Sequence, residues 1–530
     1  MAKALTEDSP EISAILNTAS TVLKAAAATS LPTATNSSAA SPPSSSSLVS
    51  FSSIDDSFFK NAGKVDNASS SSNSSSNDMT SSVERAVEMV AALVGRSHVK
   101  DEIVHGSYRV APLIDALLSV AGTGRGTTAV YGILHIVAAL TVTNGELRQK
   151  ALAEKGITSE QYEKMQELQR IKTEDDKGDF VGEMPEKCTV DSDSNEKCML
   201  RIKKLVAAGA ISYCVSLLSD AAVSLTGAAK EVCCRALRQM CVCEVVRGAF
   251  VQQGGLRACS SVAVDANAVM TTRLEAAHAI AKTLVTTNPH VLSVHLRVGT
   301  VAPLLLLCRE NDASNLQQFE ALLSLTNIVS CGEVETEKLV TEKGVRSVHY
   351  LMFSEHPMVQ RAATEALCNI SYHEDVLAIM RRTDQVRLWL GMCEAYEVEN
   401  ESELVGDINN YKSVAEDTGA GASEEKESLK TARAAAGSLA GALSDAAVCA
   451  AVMKEDFSTA LLRLFLSRNV DLVHRALAMV LEFVGSGVPG ALDYILDNKI
   501  DIVLKEVVGG IASSNSNLKG LYFQVLERLK

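Results

Sequence analysis

Two stretches of this chain are near-copies of each other. LQQFEALLSLTNI (Leu316 to Ile328) and MVQRAATEALCNI (Met358 to Ile370) carry Asn327 and Asn369 at the same place, 42 residues apart. In the second copy Val359, Ala362, Ala363, Ala366, Leu367 and Ile370 form a stripe at helical spacing, while Arg361, Glu365 and Asn369 lie four apart on another face. One face packs and the other is offered outward. A helical unit that recurs at this length cannot bury its own apolar face, so neighbours must stack. This recurrence constrains the fold more than any other feature of the chain.

The same unit echoes elsewhere. Helical patterns centre on Arg85–Val94, Ala129–Thr141, Arg235–Met240, His278–Leu284, Arg433–Leu443 and Arg475–Val484. A second ladder runs through Gly209, Gly255, Gly299 and Gly344, each ahead of an apolar helix start and separated by 46, 44 and 45 residues. Glycine at such junctions is expected to supply the positive φ that other residues resist. The fold class expected is therefore all-α, a right-handed superhelical solenoid of the armadillo or HEAT kind, over residues 83–530. The composition suits it, since 47% of residues are hydrophobic but only 4% aromatic, which makes a core of Ala, Leu, Val and Ile.

Residues 1–82 hold serine runs, Pro42 and Pro43 and few large apolar groups, and are expected to form a disordered Ser-rich tail with at most a transient helix over Glu11 to Ala28. The aromatics at Phe51 to Phe59 read as part of that tail. Two loop insertions are expected in the solenoid, at about 158–195, where a helix over Ser159 to Ile171 fits the pattern, and at the acidic stretch 394–427. The second one lengthens its repeat: Arg361 and Arg433 are 72 residues apart, Arg433 and Arg475 only 42.

Chemistry-bearing motifs are sparse. GTGRGTT (Gly122 to Thr128) lacks the lysine and preceding strand of a phosphate loop and reads as a turn. Cys233, Cys234, Cys241 and Cys243 have no second pair at zinc-finger spacing, no HExxH occurs among ten histidines, and no Gly-x-Ser-x-Gly appears. Catalytic residues, cofactors and metals are accordingly expected to be none. A net charge of −14 argues against a sequence-independent grip on nucleic acid. With no apolar run of membrane-spanning length and no secretory start, the expected setting is cytoplasmic, with reduced thiols.

The blocks AVYGILHIVAALTVTN, IKKLVAAGAISYCVSLLSD, KEVCCRALRQMC, VRGAFVQQGGLRA, LQQFEALLSLTNI, KGVRSVHYLM and MVQRAATEALCNISYHEDV, in this order and spacing, resemble the UCS domain of the myosin chaperones of the uncoordinated type. The resemblance runs from about Arg85 to the C-terminus. It implies a groove that binds the motor domain of myosin heavy chain and assists its folding, assembly or protection, with no ATPase of its own. Animal members of the family carry a tetratricopeptide domain that docks the ninety-kilodalton heat-shock chaperone; Met1 to Ser82 shows no such period, so that partnership is expected to be indirect or weak.

An Asn carboxamide offers a donor and an acceptor together, matching a peptide unit, so one Asn per repeat can hold an extended segment. Asn327 and Asn369 are the first candidates for a partner-binding groove, with Phe319, Arg361, Glu365 and Tyr372 on the same surface. The plainer alternative is that Arg361 and Glu365 only pair along their helix and that the Asn residues cap inter-repeat turns. The Asn register lapses at Gly441 and Phe483. Nuclear-import armadillo proteins place Trp four residues before each such Asn; here Leu323 and Glu365 stand there, and the sole tryptophan is Trp389. A general armadillo scaffold or transport adaptor that binds linear peptides is thus the second reading.

Overall fold

The computed structural model describes residues 10–28, 75–107, 110–121, 127–146, 193–220, 225–394, 426–467 and 469–530. All regular structure among them is helical, as the period requires. The chain divides into two compact units, residues 1–213 and 214–530.

The first unit contains α1 (Pro10–Ala28), α2 (Ser75–Leu93), α3 (Ser97–His105), α4 (Ile114–Ala121), α5 (Thr127–Leu140), α6 (Asn195–Ala207) and the start of α7 (Ala210–Ser219). The expected N-terminal tail is not uniform. Ile12, Leu16, Ala19, Leu23 and Ala26 recur at helical spacing and are buried, with α1 packed on α2 and α4. A short amphipathic helix is marginal alone, and α1 is held by a partner face that begins only at Ser75. The cluster at Phe51 to Phe59, the segment Ser159 to Ile171, residues 122–126 of the glycine motif and most of both insertions lie outside the described residues. Of the first insertion, Asp193 and Ser194 are part of the fold. Ser194 caps α6 by accepting from the Lys197 amide, and Asp193 is buried.

The second unit repeats one plan, in which two shorter helices lead into a longer inner helix that packs on the next inner helix. After α8 (Gly227–Met240) come α9 (Glu244–Gln252), α10 (Gly255–Val264) and the inner α11 (Met270–Leu284), then α12 (Val294–Arg309) and the inner α13 (Asn315–Val329). There follow α14 (Glu333–Thr341), α15 (Gly344–Leu351) and inner α16 (Pro357–Cys368); α17 (Glu374–Met380), α18 (Thr383–Glu394) and inner α19 (Glu427–Ala442); and α20 (Ala446–Val452), α21 (Phe457–Leu466) and inner α22 (Val470–Gly485). The chain continues through α23 (Ala491–Asp497) and interrupted helix over 500–514 to α24 (Ser516–Arg528). Leu322, Leu325, Ile328, Ala362, Ala363 and Leu367 are fully buried between these layers.

The glycine ladder needs a correction. The left-handed residue is the one before each helix: Gly209 (φ +93°), Gly254 (φ +83°) and Lys343 (φ +56°). Gly255 and Gly344 instead sit just inside their helices because a Cβ there would run into the Phe250 ring or the Leu339 and Leu305 methyls. Gly299 marks no junction. It lies within α12, where two helices are fused into one that also contains Pro303.

Most of the described cysteines are buried, Cys331 and Cys368 being half-buried. Burial pushes the Cys241 thiol up to about 11 and those of Cys234 and Cys308 up to about 12. Among the described residues no three His, Cys, Asp or Glu side chains come together in a metal-holding group, and no single helix is long and apolar enough to cross a membrane.

Candidate functional site

Inner helices α8, α11, α13, α16, α19 and α22 expose the same face in turn, and that face is laced by polar pairs from one helix to the next. Arg238 on α8 pairs with Glu275 on α11. His278 Nε2 and Lys282 Nζ on α11 meet the two carboxylate oxygens of Glu320 on α13, at 2.7 and 2.8 Å. The Arg361 guanidinium on α16 lies 5.5 Å from the centre of the Phe319 ring on α13, a cation–π distance. Arg361 also reaches Glu365 along its own helix at 3.2 Å and Glu427 on α19 at 2.5 Å. Arg433 on α19 pairs with Asp471 on α22 at 3.1 Å. Phe319, Arg361 and Glu365 are thus brought together, and Arg361 does more than pair along its helix.

Electrostatics sort the His278 cluster. Burial lowers the affinity of His278 for a proton more than Glu320 raises it, so the imidazole is neutral near pH 7. Burial would push Glu320 up, but hydrogen bonds from His278 and Lys282 outweigh it and hold the carboxyl below its usual range. The cluster is therefore an ion pair, Lys282 with Glu320, steadied by a neutral histidine.

Asn327 and Asn369 form a second row at the C-terminal ends of the inner helices. The last carbonyls of a helix have no acceptor role within it and need outside donors. Asn327 Nδ2 donates to Leu284 O and Val285 O, at 3.2 and 3.3 Å, and Asn369 Nδ2 donates to Thr326 O at 3.1 Å. Each carboxamide thus ties its repeat to the one before, reaching back 43 residues to the equivalent carbonyl; Ser324 Oγ does the same to Ala281 O at 2.9 Å. Asn327 is half-buried and Asn369 exposed, which leaves the carboxamide oxygens on the accessible side of a fixed amide. Where the register lapses, Gly441 lets the helix close directly on Ser371, since a Cβ there would collide with the Ser371 hydroxyl, and Phe483 is buried against Phe457 and Tyr494. Tyr372 is 60% exposed at the turn after α16, three residues beyond Asn369. Trp389 is fully buried on α18, against His349.

Sequence reasoning passed over Arg238, Glu275, His278, Lys282, Glu320, Glu427, Arg433 and Asp471. A usable signal existed for several of them: complementary hydrogen-bonding side chains standing 37, 42 and 38 residues apart (Arg238 and Glu275, His278 and Glu320, Arg433 and Asp471), close to one repeat length.

With this geometry in hand, the chain can be set beside known proteins. No family model matches it. It is 29% identical over 301 residues to human protein unc-45 homolog B, a match that takes in 55% of this chain and 28% of the human protein. UNC-45 from Drosophila melanogaster superimposes with a TM-score of 0.61 at 21% identity, over 84% of this chain and 49% of that one. The myosin chaperone UNC-45 from C. elegans, solved in complex with a Hsp90 peptide, superimposes with a TM-score of 0.58 at 21% identity, over 85% of this chain and 42% of that one. The chain matches less than half the length of each of these relatives, and the structural matches establish an all-α armadillo-type solenoid. Sequence blocks, curated relatives and fold point the same way: the chain is similar in sequence to the unc-45 homologs and shares an all-α solenoid fold with UNC-45.

Proposed function

We propose that this chain is a myosin-directed chaperone or co-chaperone without an ATPase of its own, which holds a segment of the myosin heavy chain motor domain in an armadillo groove. The observation that carries the reading is the likeness to unc-45 homolog B, joined to a solved neighbour described as a myosin chaperone. The physical support is the row at the inner-helix ends. The Asn327 and Asn369 amides are fixed by backbone carbonyls, so their oxygens are pre-aimed and lose little freedom when they accept from a partner's peptide N–H. Arg361, Glu365, Phe319 and Tyr372 would frame the bound segment. In this reading the protein acts in the cytoplasm as a binding protein and not an enzyme, and the ninety-kilodalton heat-shock chaperone is an indirect partner.

The test pairs surface against core. Asn327→Ala with Asn369→Ala is expected to weaken binding to a myosin motor fragment by about 1–3 kcal/mol, the range for lost hydrogen bonds at an interface. Leu325→Ala or Leu367→Ala, both fully buried, should instead destabilise the fold by about 2–5 kcal/mol and touch binding only through unfolding. Melting curves and motor-fragment affinity are measured on both. If the Asn pair lowers the melting temperature while the folded fraction binds as before, these residues only join repeats and the site assignment fails.

A further inference from the structure

Along one edge of the second unit, where each inner helix gives way to the first helix of the next repeat, large apolar side chains stand in water at successive repeats. Val245 is 77% exposed, Val291 72%, Val334 57% and Tyr372 60%, with Val242 and Val294 beside the first two at 39% and 47%. Single exposed apolar residues are ordinary. These recur at the same junction of successive repeats, at steps of 46, 43 and 38 residues, and so form a row.

The edge is continuous, because polar bonds cross it from repeat to repeat. Arg247 on α9 donates to Thr286 Oγ1 beyond α11 at 2.6 Å. Arg297 on α12 meets Glu335 on α14 at 2.6 Å, and Glu337 on α14 meets His373, the cap of α17, at 3.2 Å. Val245, Val334 and Tyr372 each stand within three residues of a member of this chain, and Val291 lies between Pro289 and Leu292, whose carbonyls accept from Arg297. The charges of the edge are sorted by sign. Arg247 and Arg297 are turned inward, 12% exposed, onto Glu335 and backbone carbonyls, and Lys338 folds back onto Glu342. Glu244 and Glu337 face outward, 73% and 58% exposed, and Glu333 and Asp375 are exposed beside Val334 and Tyr372. The result is an apolar row with an acidic fringe.

Stacked helices lie about 8–10 Å apart. On an α-helix, residues seven apart share a face and are separated by about 10.5 Å. We propose that this edge docks a basic amphipathic α-helix of a partner protein, of about 22 residues, whose apolar stripe meets Val245, Val291, Val334 and Tyr372 in turn while its lysines or arginines meet the flanking carboxylates. The charge of the fringe selects a cationic helix, and the step between repeats selects a helical one. The proposal does not depend on the motor-domain reading.

The full chain is titrated, by fluorescence anisotropy, with a labelled 22-residue peptide carrying leucines along one helical stripe and lysines elsewhere. Saturable binding is expected, weakening as salt is raised, and falling at least tenfold in Val245→Lys with Val334→Lys. Both side chains are exposed, so the melting curve should not move; should it move, Val245→Ser with Val334→Ser serves in its place and should also lose affinity. The proposal is overturned if the peptide does not bind, if affinity is unchanged in the variants, or if a leucine and glutamate peptide of the same pattern binds as well. Equal binding by a proline-broken version of the basic peptide would overturn the helical part.

Discussion

At the end of α5 the last carbonyls are met by cations, whereas at the ends of α11 and α13 they are met by neutral carboxamides. In the first unit Arg201 Nε donates to Leu140 O at 3.2 Å and Lys100 Nζ to Val142 O at 2.7 Å, both side chains being fully buried. Buried cations need an anion, and Asp193 supplies it, with Oδ1 2.7 Å from Arg201 and Oδ2 3.0 Å from Lys100. In the second unit Asn327 and Asn369 do the equivalent work with no charge to desolvate. The difference teaches where each unit is vulnerable. An ion network is strong when complete and costly when one member is lost, because the others stay buried and unpaired. An amide row loses one modest bond at a time and keeps an acceptor free for something else.

The largest effect should come from breaking the ion network. Asp193→Asn removes the carboxylate that Lys100 and Arg201 share, leaving Arg201 with Asp101 alone, and should destabilise the first unit by about 3–5 kcal/mol, read from denaturant unfolding. Acid should erase the gap. Burial would push the Asp193 carboxyl up, but hydrogen bonds from Arg201 and Lys100 outweigh it and hold it below the usual range. A depressed carboxyl contributes stability that is present above its unfolded value, about 4, and lost as pH falls through the folded one. Wild type and Asp193→Asn should therefore converge as the pH drops below about 4. A constant gap would show that the carboxylate charge is not what matters. Burial weighs most on Lys100, whose ammonium is held below the ordinary lysine value even beside Asp193, while the hydrogen bonds to Asp193 and Asp101 overcome burial for Arg201. The arginine is the better-compensated cation.

An intermediate effect is expected where neither device is used. Gly441→Ala places a methyl group against the Ser371 side chain and should cost about 1–3 kcal/mol by overpacking, with Ser371→Gly restoring part of the loss in a double-mutant cycle. Additive losses would mean that the two residues are not pressed together. The smallest effect is reserved for the amide row itself. Asn369→Ala should cost only about 0.5–1.5 kcal/mol, since its site is exposed and water can replace it on Thr326 O. A loss as large as that of Asp193→Asn would erase the contrast between the two units.

The period was legible because it is local: the thirteen-residue copies Leu316–Ile328 and Met358–Ile370 carry the stripe and the Asn register unaided. The glycine ladder was nearly so. It placed the left-handed residue correctly at Gly209 and missed it by one position at Gly255 and Gly344, because a glycine that spares a Cβ and a glycine that turns the chain look alike in sequence, and only Phe250 and Leu339, packed against Gly255 and Gly344, tell them apart. The ion network could not be read. Lys100 and Asp193 are 93 residues apart, and Asp193 closes a charged stretch in which nothing marks one carboxylate as buried. The cross-repeat pairs of the candidate site were hidden for the same reason, since His278 and Glu320 acquire meaning only once α11 and α13 are side by side. Helix α1 shows the converse, a local pattern whose partner lies tens of residues downstream.

The thiols of the second unit lend the molecule a clock. Cys233, Cys234, Cys241 and Cys259 lie close together in sequence and are fully buried, and their protons are held above the ordinary thiol range, for Cys233 first by its hydrogen bond with the Cys214 side chain and then by burial, and for the others chiefly by burial. The thiolate is the reactive form, so these sulfurs are silent toward alkylating reagents for as long as α8 and α10 stay packed. Only when the repeats part does each recover ordinary acidity and meet the reagent. Half-buried Cys331, in the turn after α13, and Cys368, at the end of α16, stand nearer to solvent. The order in which sulfurs are labelled thus records the order in which the stack comes apart, without any tag being added to it.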